Sequence, residues 1–200
     1  MTTATDLFII SVDLDHSVGQ GDLSLALAGA ELIDLISSAS DVTLDGDLIV
    51  PGGPAAPADR LLAGAWSVLD GQAPYERVED WLWRRGHDLS AAYQTALEEN
   101  GLLRQQRRGR SPFGAERVEL ADSPSRSRAL SRWAASEPVL VALASAVGIR
   151  SEPSEDEPSL DDEAVTTVLV AVNDAVMELE AERQKRAIEN TAFANLWRGP

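Results

Sequence analysis

Two aspartates stand directly after an apolar run near the amino end of the chain. Residues 7–12 are mostly apolar, and Asp13 and Asp15 follow them, one residue apart. Paired carboxylates can transfer phosphoryl groups, because one can attack phosphorus while the other handles the proton of the leaving group. Such an enzyme also needs further acids for magnesium and a cation for the phosphoryl oxygens. The only lysine, Lys185, lies in a long amphipathic pattern instead, with no strand before it.

The Asp-x-Asp pair resembles the first motif of haloacid dehalogenase-type phosphatases, but the alternating strands and helices of their parallel sheet are missing from the sequence. An Asp-x-Asp phosphatase therefore stays a weaker alternative, and a short helix followed by a polar turn is predicted for this segment. His16 and His87 are far apart, there is no cysteine, and no Gly-x-Ser-x-Gly elbow is present. We expect no enzyme, no catalytic residue, no metal and no cofactor.

Positive charge is concentrated in one part of an acidic chain. The 200 residues have a net charge of −16, yet residues 104–132 contain eight arginines and only three acidic residues. Arginine presents a planar fork of donors that suits phosphate. An aromatic ring beside guanidinium groups is typical of a contact with a membrane surface. The predicted lipid-contact residues are Arg107, Arg108, Arg110 and Phe113, with Arg84 and Arg85, next to Trp81 and Trp83, as a second group.

A nucleic-acid partner is not expected, because the summed negative charge repels phosphate over a large footprint. A helix at 89–100 followed by an arginine-rich hairpin nevertheless resembles a winged helix, and a winged-helix-like DNA-binding regulator is kept as an alternative. Against it, the helix contains Glu98 and Glu99 and no arginine or lysine.

Hydrophobic periodicity predicts a mainly α protein, a single-domain helical bundle with two β-hairpins over residues 1–200. The segment 138–147 is nearly apolar all round and is predicted to be central. Asp45-Gly46 predicts a type I′ turn in the first hairpin. The acidic stretch at 150–160 is predicted to be a mobile linker. Helices are predicted at 23–38, 58–69, 78–85, 89–100, 123–135, 138–147 and 160–188, and hairpins at 42–50 and 102–120.

The composition predicts a cytoplasmic protein that is at most peripheral at the membrane. Residues 1–6 contain no basic residue of the kind that opens a secretory signal. The longest mostly apolar run, residues 139–149, is shorter than the roughly 20 residues of a spanning helix. The absence of cysteine fits a reducing compartment.

The order of these features resembles the Golgi phosphoprotein 3 family in its bacterial branch. The resemblance covers about residues 6–149. It is carried by Asp6-Leu7-Phe8-Ile9-Ile10 before Asp13-Leu14-Asp15, by the segment 25–35, by the hairpin at 42–50, by Ala96-Leu97-Glu98-Glu99-Asn100-Gly101-Leu102-Leu103-Arg104 before the second hairpin, and by the apolar helix at 138–147.

The resemblance implies a helical, non-enzymatic adaptor that attaches to membranes through anionic lipid headgroups, phosphatidylinositol 4-phosphate in eukaryotic members. It also implies that the hairpin at 102–120 can insert into the membrane or form a homo-oligomer. The family's headgroup pocket uses a tryptophan and three arginines. This chain has Gly19, Ala28, His87 and Ser90 at those positions, so a more general contact between anionic lipid and the arginine-rich hairpin is expected.

Overall fold

The computed structural model describes residues 2–14, 18–38, 42–53, 56–69, 71–107, 116–149 and 162–197, with backbone alone for 105–107, 116–118 and 191–197. The predicted linker at 150–160 lies outside them. The mainly α fold is confirmed. The elements are α1 Thr3–Asp13, α2 Gln20–Ile36, β1 Thr43–Asp45, β2 Leu48–Val50, α3 Arg60–Ser67, α4 Val78–Arg85, α5 Leu89–Glu99, β3 Leu103–Arg107, β4 Glu116–Leu120, α6 Pro124–Ala134, α7 Pro138–Ala146 and α8 Glu163–Trp197.

Helix α2 is the central helix of the fold. It is buried along most of its length and packs against α1, α3, α4, α5, α7 and α8. The prediction that 138–147 is central was wrong, because α7 buries only Leu140, Leu143 and Ala144 completely. Alternating leucine and small residues at 25–30 leave α2 without a bulky polar side, so neighbours can pack all around it.

Helices α2 and α8 approach each other closely at Gly29 of α2. A Cβ atom on this residue would overlap Cγ2 of Val172 on α8 and would lie 3.6 Å from Cδ2 of Leu82 on α4. Interiors are packed as densely as organic crystals, so there is no free volume to absorb an added methyl group. Gly29 therefore sets the distance between α2 and α8.

The first hairpin is docked on the start of α4. β1 and β2 are antiparallel, with Asp45 opposite Leu48, and the turn residues are Gly46 and Asp47. The predicted Asp45-Gly46 turn is therefore displaced by one residue. Of the two turn residues, only Gly46 has a positive φ, 62°, and this combination of signs is that of a type II′ turn. The amide of Ile49 donates to the carbonyl of Glu76 at 2.8 Å and fixes the hairpin to the main body.

The segment around the Asp-x-Asp pair is a helix. Thr2 caps α1, its side chain accepting from the amide of Thr5, and Asp13 is the last residue of the helix. The strands in the described part of the chain form only antiparallel pairs. The phosphatase alternative is therefore wrong in its structural premise, since its nucleophile must follow a strand of a parallel sheet.

The arginines of α6 face the acids of α1. Asp6 is fully buried and accepts from Arg128 Nη2 at 2.8 Å and from Arg132 Nη1 at 2.6 Å. Asp13 accepts from Arg126 Nε at 2.6 Å. The positive segment 104–132 is thus divided, because its three α6 arginines are paired with carboxylates of α1.

A second buried charge joins α2 to α4 and α5. Glu31 is completely buried in α2. It accepts from Arg85 Nε at 2.7 Å and Nη2 at 3.0 Å, and from the hydroxyl of Tyr93 at 3.1 Å. Burial raises the pKa of Glu31, and the hydrogen bonds from Arg85 and Tyr93 oppose that rise without cancelling it. Burial, followed by the charge of Glu31, raises the pKa of Tyr93 well above its ordinary value.

We expect Gly29→Ala to lower the free energy of unfolding by about 1–3 kcal/mol, because the new methyl group overpacks the interface with α8. Gly64→Ala in α3 is the control, since the nearest atom to its added Cβ is Arg85 Nη2 at 4.0 Å and alanine favours a helix by about 1 kcal/mol. Denaturant unfolding of both variants measures the difference. Equal effects of the two substitutions would contradict a close contact at Gly29, and Val172→Ala should partly rescue Gly29→Ala.

The raised pKa of Glu31 predicts a pH dependence of stability. The folded state holds the proton more tightly than the unfolded chain, whose pKa is near the ordinary 4.5. The contribution of this group to stability is therefore greatest below that value and falls as the pH rises through the raised pKa. Glu31→Gln removes the titration. The free energy of unfolding of the wild type minus that of Glu31→Gln should decrease from acidic toward neutral pH, and an increase in urea titrations would refute the assignment.

Candidate functional site

The arginine-rich hairpin is anchored at its base. Leu103, which is buried, pairs with Leu120, which is partly buried, and the amide of Ala121 donates to the carbonyl of Leu102 at 2.9 Å. At the other end of the ladder Arg107 is opposite Glu116. With a rise of about 3.3 Å per residue, this last pair lies about 13 Å along the strand from the base. The ladder therefore carries the chain from the core to the connection between the strands.

The structure places only part of the first predicted contact group. Arg107 is the last residue of β3, and its backbone pairs with β4. Arg108, Arg110 and Phe113 lie in the connection at 108–115, outside the described residues. Arg104, one residue from the base, is exposed. The assignment of Arg107, Arg108, Arg110 and Phe113 to lipid contact remains a prediction.

Arg84, in the second predicted group, is held by a carboxylate of the protein. Its Nε and Nη2 each donate to Glu76 at 2.7 Å, and Glu76 raises the pKa of Arg84. The guanidinium carbon lies 5.3 Å from the centroid of the Trp81 ring, in the range of a cation–π contact. Trp81 itself is completely buried and donates from Nε1 to the carbonyl of Ala28 at 3.0 Å. Its ring belongs to the core and is not free to enter a membrane.

Arg85 is also engaged, by Glu31, and its side chain is 20% exposed. A phosphate that binds Arg84 or Arg85 must therefore compete with a bidentate carboxylate of the same chain. Removing Arg85 from Glu31 would leave a buried charge with Tyr93 as its remaining hydrogen-bond donor, which costs several kcal/mol. The side-chain geometry makes these two residues weaker candidates than the hairpin.

A cleft of about 320 Å³ lies where α2 begins and α4 is joined to α5. Trp83 and Leu179 supply apolar walls, and His87 and Asp88 lie at the connection between the helices. His87 and Asp88 are both more than 80% exposed, with Nδ1 and Oδ2 3.1 Å apart. Among the described residues that line the cleft there is no arginine or lysine. The cleft thus offers hydrogen bonds and apolar contacts, and no guanidinium fork.

The headgroup positions implied by the family resemblance are spread over this region. His87 and Ser90 line the cleft, and Gly19 is the residue before α2. The amide of Ser90 donates to Ser24 Oγ at 2.9 Å, and Ser90 Oγ donates to the carbonyl of Gln20 at 3.2 Å. Ser90 therefore joins α5 to α2.

Ala28, the remaining headgroup position, is fully buried. Arg183 of α8 approaches the start of α2 but is bound to Asp22 at 2.7 Å. None of these contacts reproduces a headgroup pocket of three free arginines.

The sequence patterns did not predict the ion pairs within the protein. A signal was present at Glu31, because a carboxylate inside the apolar run 23–35 needs a basic partner. The identity of the partner was not readable, since Arg85 is 54 residues away. The described ranges contain no cluster of three or more histidine, aspartate or glutamate side chains suited to a metal ion.

Helix α5, the recognition helix of the winged-helix alternative, buries Leu89, Ser90, Tyr93 and Leu97 against the protein. The sequence of α5 contains no arginine or lysine that could bind a DNA phosphate. None of the helices in the described ranges combines the length and apolar character needed to cross a bilayer.

Comparison with protein families agrees with the order of elements. The model of the Golgi phosphoprotein 3 (GPP34) family matches residues 4–191, which is nearly the whole chain. No curated protein matches the sequence. The match extends into α8 and covers most of it, beyond the residues on which the sequence resemblance was based. On this evidence the chain belongs to the Golgi phosphoprotein 3 family.

Proposed function

We propose that this protein is a peripheral membrane or adaptor protein, not an enzyme, that contacts anionic lipid headgroups through the hairpin β3–β4. The observation that carries the proposal is the ladder itself, which begins in the core at Leu103 and ends at Arg107. The connection that follows contains Arg108, Arg110 and Phe113 in the sequence. In this proposal the guanidinium groups bind phosphate and Phe113 enters the interface, on the cytoplasmic side of the membrane.

The negative charge of the rest of the chain opposes binding to an anionic surface, and the ladder separates its last arginine from the base of the hairpin. A protein with a net charge of −16 is repelled by an anionic surface. Screening at physiological salt reduces interactions between exposed charges beyond about 8 Å. The end of the ladder lies about 13 Å along the strand from its base, which is more than one screening length from the point where the hairpin joins the body.

The pairing of the other arginines also favours the hairpin as the surface that contacts lipid. Arg126, Arg128 and Arg132 are bound to acids of α1, and Arg84 and Arg85 are bound to Glu76 and Glu31. These guanidinium groups stabilise the fold. Within residues 103–120 the sequence has five arginines and two glutamates, so the hairpin has a surplus of positive charge.

We expect the full chain to float with vesicles that contain phosphatidylserine and to stay behind with neutral vesicles. Replacing Arg107, Arg108 and Arg110 together by alanine should weaken binding about 100-fold, since each basic residue near an anionic surface contributes about 1 kcal/mol. The control replaces Arg60, Arg77 and Arg186, which removes the same charge from exposed positions elsewhere. Equal losses in the two triple variants would reject a specific role for the hairpin.

Phosphatidylinositol 4-phosphate should have no special advantage over phosphatidylserine at equal surface charge, because the cleft beside His87 and Ser90 lacks a guanidinium group. Vesicles matched in zeta potential are compared by flotation, with an expected difference of less than about threefold. A preference above about tenfold that disappears in Ala91→Trp, which fills the cleft from an exposed lining position, would instead assign headgroup recognition to the cleft.

A further inference from the structure

Exposed apolar side chains are concentrated on one side of α8. In the described residues, four large hydrophobic side chains are exposed, and three of them are Val170, Met177 and Ile188, at 56%, 65% and 69%. They are seven and eleven residues apart. At 3.6 residues per turn, these spacings put all three within about 20° of one line along the helix. Ala181, also exposed, lies on the same line, and the four residues are called the outer stripe.

The outer stripe lies opposite the side of α8 that packs on the core. Val165, Val168 and Val172 are buried on that core side against the rest of the fold. α8 therefore has two apolar sides, and the described residues cover one of them. A helix normally buries the side on which its large apolar residues recur, so the outer stripe is a candidate contact surface.

The spacing of the outer stripe is complementary to itself. When two copies of α8 lie antiparallel with their centres at residue 179, Val170 of each copy is opposite Ile188 of the other. In the same register Met177 is opposite Ala181, so a large side chain meets a small one. Both pairings arise from a single two-fold arrangement, which is the commonest symmetry of homo-oligomers.

The charges beside the stripe follow the same register. Asp174, with Val170, lines a cleft of about 240 Å³ between α8, α4 and the first hairpin. In the antiparallel pair Asp174 is opposite Gln184 of the other copy, and Lys185 follows one residue farther along on the same side of the helix as Asp174. Lys185 is 64% exposed and lies 3.7 Å from Glu182, so it can reach a second carboxylate. Glu178 and Glu182 near the centre repel their counterparts, which limits the strength of the pair.

We propose that the outer stripe of α8 binds a second copy of this chain in an antiparallel, two-fold symmetric pair. The interface joins Val170 to Ile188 and Met177 to Ala181, and the Asp174–Lys185 contact sets the register. This inference is independent of the lipid contact, since the hairpin packs on α1 and α5.

Cysteine cross-linking tests the register, because the chain contains no cysteine of its own. Val170→Cys and Ile188→Cys are made separately, oxidised alone and oxidised as an equal mixture. In the proposed pair, like positions are about 27 Å apart along the helix axis, so neither variant should form a disulfide with itself. The mixture should give a covalent dimer. A self-linked dimer of either variant that exceeds the mixed product would overturn the antiparallel arrangement.

Sedimentation of the full chain tests whether the stripe is the interface. Met177→Glu should raise the dimer dissociation constant at least about tenfold. Val68→Glu is the matched control, because Val68 is the fourth exposed hydrophobic residue and lies outside α8. It should leave the dissociation constant unchanged. Asp174→Lys and Lys185→Glu should each weaken the dimer, and the two together should restore it.

The remaining outcomes contradict the proposal. A wild-type chain that stays monomeric at several hundred micromolar has no such interface. A dimer that survives Met177→Glu but is lost when residues 104–119 are replaced by a short turn would assign self-association to the hairpin. A Met177→Glu variant that loses vesicle binding while the wild type is monomeric would assign the stripe to lipid.

Discussion

The buried carboxylate of Glu31 constrains how α4 and α5 are placed against the central helix. A charge without water costs several kcal/mol, and the cost is offset only when its oxygens are hydrogen-bonded by well-placed donors. Arg85, the last residue of α4, and Tyr93, in the middle of α5, supply those donors. The end of one helix and the course of the next are thereby fixed on α2. This contact therefore also positions the cleft at the junction of α4 and α5 and the hairpin that follows α5.

Close packing at small residues and ion pairs between helices both stabilise the bundle. Gly29 lets α8 approach α2, where hydrophobic contact is not directional. Ion pairs such as Asp6 with Arg132 fix the relative orientation of the helices, because a carboxylate accepts hydrogen bonds from a guanidinium in few geometries. As a result, most of the arginines that the structure describes outside the hairpin form ion pairs within the protein. The net charge of an arginine-rich segment is therefore a poor guide to its partners until the internal carboxylates are known.

Sequence periodicity predicted most helices because their apolar stripes are local. α4 was predicted with its observed bounds, 78–85, and each predicted hairpin contains one of the two observed antiparallel strand pairs. The centre of the bundle was misjudged, since mean hydropathy favours the apolar α7, whereas burial depends on how many neighbours a helix can accept. α8 was predicted to end at 188 but continues to Trp197.

The candidate site was less predictable for the same reason. That Arg84 and Arg85 meet Glu76 and Glu31 depends on contacts between distant segments. Those contacts have no periodic signature along the chain, so the sequence alone presented both arginines as free to bind a ligand.

A hairpin contact and a pair formed through α8 would reinforce one another. Three arginines contribute about 3 kcal/mol to membrane binding, which is weaker than a single acyl chain, itself a marginal anchor. Two hairpins in one dimer convert the second contact into an intramolecular step, which raises the overall affinity without a new interaction. Salt acts on the two contacts in opposite directions. It weakens the attraction of arginine to lipid, but it also screens the repulsion between two bodies that each carry −16. The rise in dimer formation with salt would therefore offset part of the loss of lipid binding, so that attachment through paired hairpins would be less sensitive to salt than the same six arginines in a permanently linked pair.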